Sequence, residues 1–236
     1  MAREPSPWRA NGRRHRSPLV SRLETTLRRS RLYSEELGID LAADSDPELF
    51  KWLLASVLLG ARISETIAQH TYRAFERHRL LTPRRILAAG WDYLVHPVMR
   101  EGGYVRYDEK TSTRILRICD TLILEYRGSL RRLHALARDS GDLEARLDRF
   151  YGVGPVTLNI FLRELRPRWA KADPAPLPQV QAAARELGID LSRYRRKSVA
   201  FARIEAGLIR RRTSPDARRS LTATSSTGGL SPARKC

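Results

Sequence analysis

The segment Gly152-Val153-Gly154-Pro155 lies between two sets of apolar residues at helical spacing, Leu143, Leu147 and Phe150 before it and Leu158, Phe161, Leu162 and Leu165 after it. A glycine turn joining two helices is suited to gripping an anion. The first amides of the second helix have no intrahelical partner, and they sit at the positively polarised end of that helix. Phosphate groups bind at such ends. Glycine lets the backbone turn sharply and puts no Cβ in the path of a bulky anion. Pro155 suits the first helical turn, where its missing N–H costs nothing. Gly152, Gly154, Val156 and Thr157 are therefore the candidate phosphate-contacting residues.

The elements that position this turn read as helices. Leu23, Leu27 and Leu32 place one charged helix over 19–37, stopped by Gly38. Asp44-Ser45-Asp46-Pro47 is a helix start, with a cap residue followed by proline. The helix over 47–59 has apolar residues at 50, 53, 54, 57 and 58, a buried face. Further helices are expected over 64–78, 83–89, 91–99 (interrupted by Pro97), 108–126, 130–138, 141–150 and 155–166, where Pro167 ends the last. Four prolines in 167–178 make an extended connection to helices over 179–187 and 197–211. No period-two alternation is long enough for a strand, so the expected class is all-α. Residues 1–18 and 213–236, rich in Pro, Ser, Thr and Arg, read as disordered basic tails.

Over roughly residues 45–190 the chain resembles the helix-hairpin-helix (HhH-GPD) base-excision DNA glycosylases, the endonuclease III-like superfamily. The hairpin carries the resemblance first. The helix ending in Leu59-Gly60-Ala61-Arg62 is similar to the family's early helix, after which a polar residue enters the DNA; Arg62 stands at that place. Gly102-Gly103-Tyr104-Val105-Arg106-Tyr107-Asp108-Glu109-Lys110 resembles the family's glycine-aromatic-lysine loop beside the damaged-base pocket. Asp173 follows Gly154 by 19 residues, where the family carries its reactive aspartate. The implied fold is two helical lobes with a cleft between them. Residues 49–173 would form one lobe, with the hairpin at about 141–166. Residues 19–48 and 174–212 would form the other, discontinuous lobe.

The resemblance implies a partner, double-stranded DNA, and a reaction, release of a damaged or mismatched base. Such an enzyme everts the nucleotide and fills the gap with a side chain; Arg62 and Tyr104 are the candidates. Tyr107 and Lys110 are candidates for the base pocket. Cleavage of the N-glycosidic bond builds positive charge on the sugar, which a carboxylate stabilises while it directs a water. Asp173 is the candidate, although Lys171-Ala172-Asp173-Pro174 departs from the family's Val-Asp-Thr-His. Bifunctional members carry a Schiff-base lysine two residues after the second glycine. Val156 stands there, so a monofunctional glycosylase without lyase activity is expected. The alternative is a DNA-binding protein of the same fold that has lost the chemistry. The four cysteines of the family's iron–sulfur cluster have no counterpart, so no cluster is expected. A monovalent cation at the Gly152–Gly154 backbone carbonyls is a further implication of the family.

The bulk properties agree with a polyanionic partner. The formal net charge is +18, of which +4 falls in residues 1–18 and +10 in residues 193–236. The remaining segment carries only +4, so the basic flanks would add counterion release rather than sequence reading. Arginine outnumbers lysine 39 to 5, which codon usage explains as well as function. Cys119 and Cys236 form no disulfide framework, and the five histidines show no zinc-ligand spacing. No apolar run is long enough to span a membrane. A monomer in the cytoplasm, nucleoid-associated if bacterial, is expected; the arginine-rich, acid-poor N-terminus also shares features of organelle transit peptides.

Overall fold

A computed structural model of the protein describes residues 18–213. The two tails read from composition fall, but for Pro18 and Thr213, outside the described residues. Eleven α-helices follow in order: α1 (Pro18–Arg28), α2 (Tyr33–Leu37), α3 (Asp46–Leu59), α4 (Glu65–Arg77), α5 (Pro83–Tyr93), α6 (Asp108–Tyr126), α7 (Leu130–Leu136), α8 (Ser140–Asp148), α9 (Pro155–Leu165), α10 (Pro178–Glu186) and α11 (Val199–Thr213). Single turns of 3₁₀-helix occupy Leu41–Ala43 and Leu191–Arg193, and a π-helical turn, Leu94–Met99, continues α5 around Pro97. No strand occurs among the described residues, so the all-α class holds.

Local chemistry sets the helix starts. The Ser64 hydroxyl accepts from the Ile67 N–H at 3.2 Å, Ser129 from Arg132 at 2.9 Å, and the Asp139 carboxylate from Asp142 at 2.8 Å. Each satisfies an otherwise orphaned donor. Prolines 47, 83, 155 and 178 occupy first turns. The single helix expected over 19–37 is in fact two. The Glu164 carboxylate, arriving from α9, accepts the Tyr33 and Ser34 N–H groups at 3.0 and 3.1 Å, and so caps a new helix start at Tyr33. A long-range contact thus breaks a run that local periodicity would have kept whole.

The buried apolar residues form two clusters. The larger is built on α3 and α9. Every residue of α3 from Leu53 to Leu58 is buried, and so is all of α9 from Thr157 to Leu165. Trp52 locks the pair, donating its indole N–H to the Phe161 carbonyl at 2.9 Å. The smaller cluster joins Leu27 of α1 to Val180, Ala183 and Ala184 of α10 and Phe201, Ile204 and Leu208 of α11. Tyr33, Leu37, Ile39 and Leu41, expected with the discontinuous lobe, pack into the larger cluster instead. The chain therefore leaves the smaller cluster after α1 and returns to it at Leu177.

Candidate functional site

The hairpin turn is anchored from below and open above. Phe150 and Val153 are buried, and the Val153 N–H donates to the Phe150 carbonyl at 2.9 Å. The two glycines differ in what they contribute. Gly152 has φ +74°, a left-handed conformation that favours glycine, and a Cβ there would stand 2.5 Å from Arg114 Nε. Gly154 has φ −103° and ψ −179°, ordinary extended backbone, and a Cβ there would meet nothing within 4 Å. The fold does not need glycine at 154; its effect is to leave the approach to α9 open. No side chain caps that helix. Its first turn presents exposed Pro155 and Val156, while Thr157 is buried.

Basic groups surround the turn. Arg114 of α6 lies under Gly152. Arg117, one turn further along α6, places its guanidinium carbon 4.2 Å from the centre of the exposed Tyr151 ring. The segment between α3 and α4 flanks the other side. Gly60 abuts Thr157 directly, and this contact fixes the loop carrying the exposed Arg62 beside the start of α9. The structure therefore brings Arg62, Val156, Thr157 and the glycine turn together.

Between that loop, α9 and the segment entering α10 lies a cleft of about 720 Å³, within the range of ligand sites. Arg62, Ser64 and Glu65 line one side, Val156, Ile160 and Arg163 a second, and Leu177, Gln179 and Ile209 a third. Glu65 is its lining carboxylate; it accepts from the Tyr33 hydroxyl at 3.0 Å and from Gln69 Nε2 at 3.2 Å, and lies 3.5 Å from Arg210 Nε. The Glu164 carboxylate behind the cleft has its pKa pushed up by burial, against the lowering effect of Arg163.

Asp173 is not among the residues lining this cleft. Its Oδ1 lies 2.9 Å from Arg196 Nε and 3.3 Å from Arg166 Nε, and its carbonyl also accepts from Arg196. Arg166 is wholly buried, pairs with the buried Glu205, donates to the Pro174 carbonyl and lies over the Phe201 ring. Asp173 is thus part of a structural knot tying the proline-rich connection to α9 and α11, and its side chain stays partly exposed. Leu177 lines the cleft at the entry to α10. The sequence signal for this was Pro178, which fixes the start of α10 and makes Leu177 the residue just before it. Counting from Gly154 missed it, as it missed Arg163 and Glu65.

The glycine-aromatic loop is corrected. Tyr104 is 1% exposed, and its hydroxyl pairs with Thr111 Oγ1 at 3.0 Å. Burial raises its pKa. It is a core residue with no ring face free to stack in DNA. Its burial follows from Gly102, where a Cβ would stand 2.4 Å from Thr71 Cα. Tyr107 and Lys110 are exposed at the start of α6, Tyr107 at φ +73° with the Arg106 guanidinium carbon 5.0 Å from its ring centre; neither lines the cleft.

Among the described residues, no group of three or more His, Cys, Asp or Glu could hold a metal ion, and no helix is long and apolar enough to cross a membrane. In the hairpin turn, the Phe150 and Gly154 carbonyls accept the Val153 and Leu158 N–H groups. No family model, curated protein or solved structure matches this chain.

Proposed function

We propose that this protein binds duplex DNA in the manner of the helix-hairpin-helix glycosylases and does not use Asp173 to release a base. The observation that carries this reading is Gly154. Its backbone needs no glycine, yet its vacancy opens the uncapped N-terminus of α9 between Arg62, Arg114 and Arg117. Uncapped amides at a positive helix end, flanked by guanidinium groups, make a phosphate seat. A monovalent cation held by the turn carbonyls would add positive charge under that seat. Arg62, exposed and lining the cleft, would be the side chain that enters the duplex beside an everted nucleotide.

Two features weigh against base release through Asp173 or Val156. Asp173 is held by Arg166 and Arg196, and Val156 and Leu177 are apolar where they line the cleft. A hydrolytic reading would have to run through Glu65, which lines the cleft but is already held by Tyr33, Gln69 and Arg210. The test uses the full chain on duplexes carrying uracil, alkylated adenine, oxidised guanine or mismatches. Binding is read by fluorescence anisotropy and base release by alkaline strand scission. Salt-dependent binding without scission is expected. Scission that survives Glu65→Gln but not Asp173→Asn would overturn the reading.

A further inference from the structure

Three aromatic side chains stand exposed near the hairpin and outside the cleft. Tyr107, Trp91 and Tyr151 keep 42%, 37% and 44% of their surface open to solvent. Each is nevertheless held in position. The Arg117 guanidinium carbon lies 4.2 Å from the Tyr151 ring centre, and that of Arg106 lies 5.0 Å from the Tyr107 ring centre, so an arginine backs each ring on one face. Trp91 donates its indole N–H to Thr113 Oγ1 at 3.0 Å. Tyr107 is also kept at φ +73°, a conformation that bulky residues rarely adopt and that costs energy. Aromatic rings stabilise a fold by being buried, and rings fixed in place but left in water forgo most of that gain.

Helix α6 sets the three in a row. Tyr107 stands at its start, Trp91 is tied to Thr113, and Tyr151 lies against Arg117, so the row is about 15 Å long. Lys110, Arg114 and Arg117 recur at four- and three-residue spacing along the same face. The row ends at the hairpin, because Tyr151 directly precedes Gly152, whose turn packs on Arg114. None of Arg106, Lys110, Arg114 and Arg117 forms an ion pair among the described residues. Residues 106–120 also carry Asp108, Glu109 and Asp120, so these four basic groups leave a local charge of only +1. A duplex offers phosphates and keeps its base faces stacked on one another; it is drawn by charge and makes no use of exposed rings. An unpaired strand offers base faces, which stack on aromatic rings and guanidinium planes.

We infer that this row is a platform for unpaired bases, so that the protein prefers a duplex with a single-stranded tail to a blunt one, the duplex lying on the hairpin and the tail along α6. The inference rests on the DNA-binding reading above. Continuity favours a nucleic-acid strand over a protein partner, because the row begins at the turn that grips the DNA backbone. Three rings provide for about three bases. Every base has a face that stacks, so the sequence of the tail should matter little.

The test measures anisotropy of the full chain on one duplex that is blunt, carries a tail of about six thymidines, or carries a tail of the same length built from stable abasic units. Each tail is placed on a 3′ end and, separately, on a 5′ end. The two kinds of tail have the same phosphates, so charge contacts from any part of the chain cancel and only the bases differ. On at least one polarity the thymidine tail should bind at least about ten-fold more tightly than the abasic tail. Tyr107→Gly removes one ring and relieves its left-handed backbone. It should fold as wild type does, bind the blunt duplex unchanged and lose about five-fold of the thymidine advantage. Trp91→Leu should lose a similar factor. Equal affinities for thymidine and abasic tails on both polarities, with blunt binding intact, would overturn the platform alone and leave the rings to a protein partner. A thymidine advantage unchanged by Tyr107→Gly and Trp91→Leu together would overturn its place on α6. Absence of all duplex binding would overturn the DNA-binding reading and the platform with it.

Discussion

Gly60 and Thr157 approach so closely that a Cβ on residue 60 would stand 2.2 Å from Thr157 Oγ1 and 3.1 Å from its Cα. The end of α3 is in this way pressed onto the first turn of α9, and the loop carrying Arg62 becomes a neighbour of the glycine turn. Gly60 itself has φ −77°, so its backbone would accept any residue. What forbids a side chain there is the contact.

A side chain at position 60 must therefore push the two elements apart. Gly60→Val should lower stability by about 1–3 kcal/mol, the usual cost of overfilling a packed contact. It should also weaken duplex binding more than the loss of stability explains, because Arg62 and the α9 amides lose their registration. Chemical denaturation and anisotropy on the same preparation check both effects. A variant as stable and as tight-binding as wild type would show that the contact positions nothing.

The knot around Arg166 gives a ranking. Glu205 is fully buried and pairs with the buried Arg166, so Glu205→Ala leaves that guanidinium only the partly exposed Asp173 as a carboxylate partner and should cost about 3 kcal/mol. Asp173 is 30% exposed at its side chain and shares Arg166 with Glu205, so Asp173→Asn should cost about 1 kcal/mol or less. Neither should alter DNA affinity once folding is allowed for. Denaturant midpoints measure the order of the two; a larger effect at Asp173 would point to a role beyond anchoring.

Acid should loosen the fold through His134. Its ring stacks on Trp169 at 4.4 Å and 10°, and its Nε2 is buried without a partner. Burial and then the neighbouring Lys171 lower the imidazole pKa below its ordinary 6.5, with Asp44 opposing. The unfolded chain therefore takes up the proton first as pH falls. The stabilising contribution is full above pH 6.5 and is lost as pH drops through that value toward the lower folded pKa. Melting temperature should fall between about pH 7.5 and 5.5, and His134→Phe, which keeps a stacked ring without a titrating nitrogen, should reduce that fall. An unchanged pH profile in the variant would exclude His134 as a source.

Much of this architecture is legible in the residues, because local rules act locally. Proline and cap residues mark the starts of α3, α4 and α9, and apolar spacing marks the buried faces of α3, α6 and α9. The hairpin glycines stand out for the same reason. The misreadings occur where a distant group intervenes. Glu164, 131 residues from Tyr33, divides the first expected helix. Arg166 and Arg196 capture Asp173, which lies in a connection with no periodicity to reveal its facing. Tyr104 sits in a loop that the resemblance sets beside the DNA, yet the close approach of Gly102 to Thr71 draws it inward. Nothing in the sequence marks Arg163, and only the packing of α9 buries it beside the cleft.

The most direct measurement is the duplex affinity of full-length Gly154→Leu against wild type across a salt series. The site for the new side chain is sterically open and its backbone angles are permissive, so the melting temperature should not change. The leucine would stand in the path of a phosphate approaching the α9 amides. Affinity should fall at least about ten-fold at low salt, with a shallower dependence on salt as phosphate contacts are lost. A correctly folded variant that binds duplex with wild-type affinity and wild-type salt slope would contradict the hairpin's role as the grip on DNA.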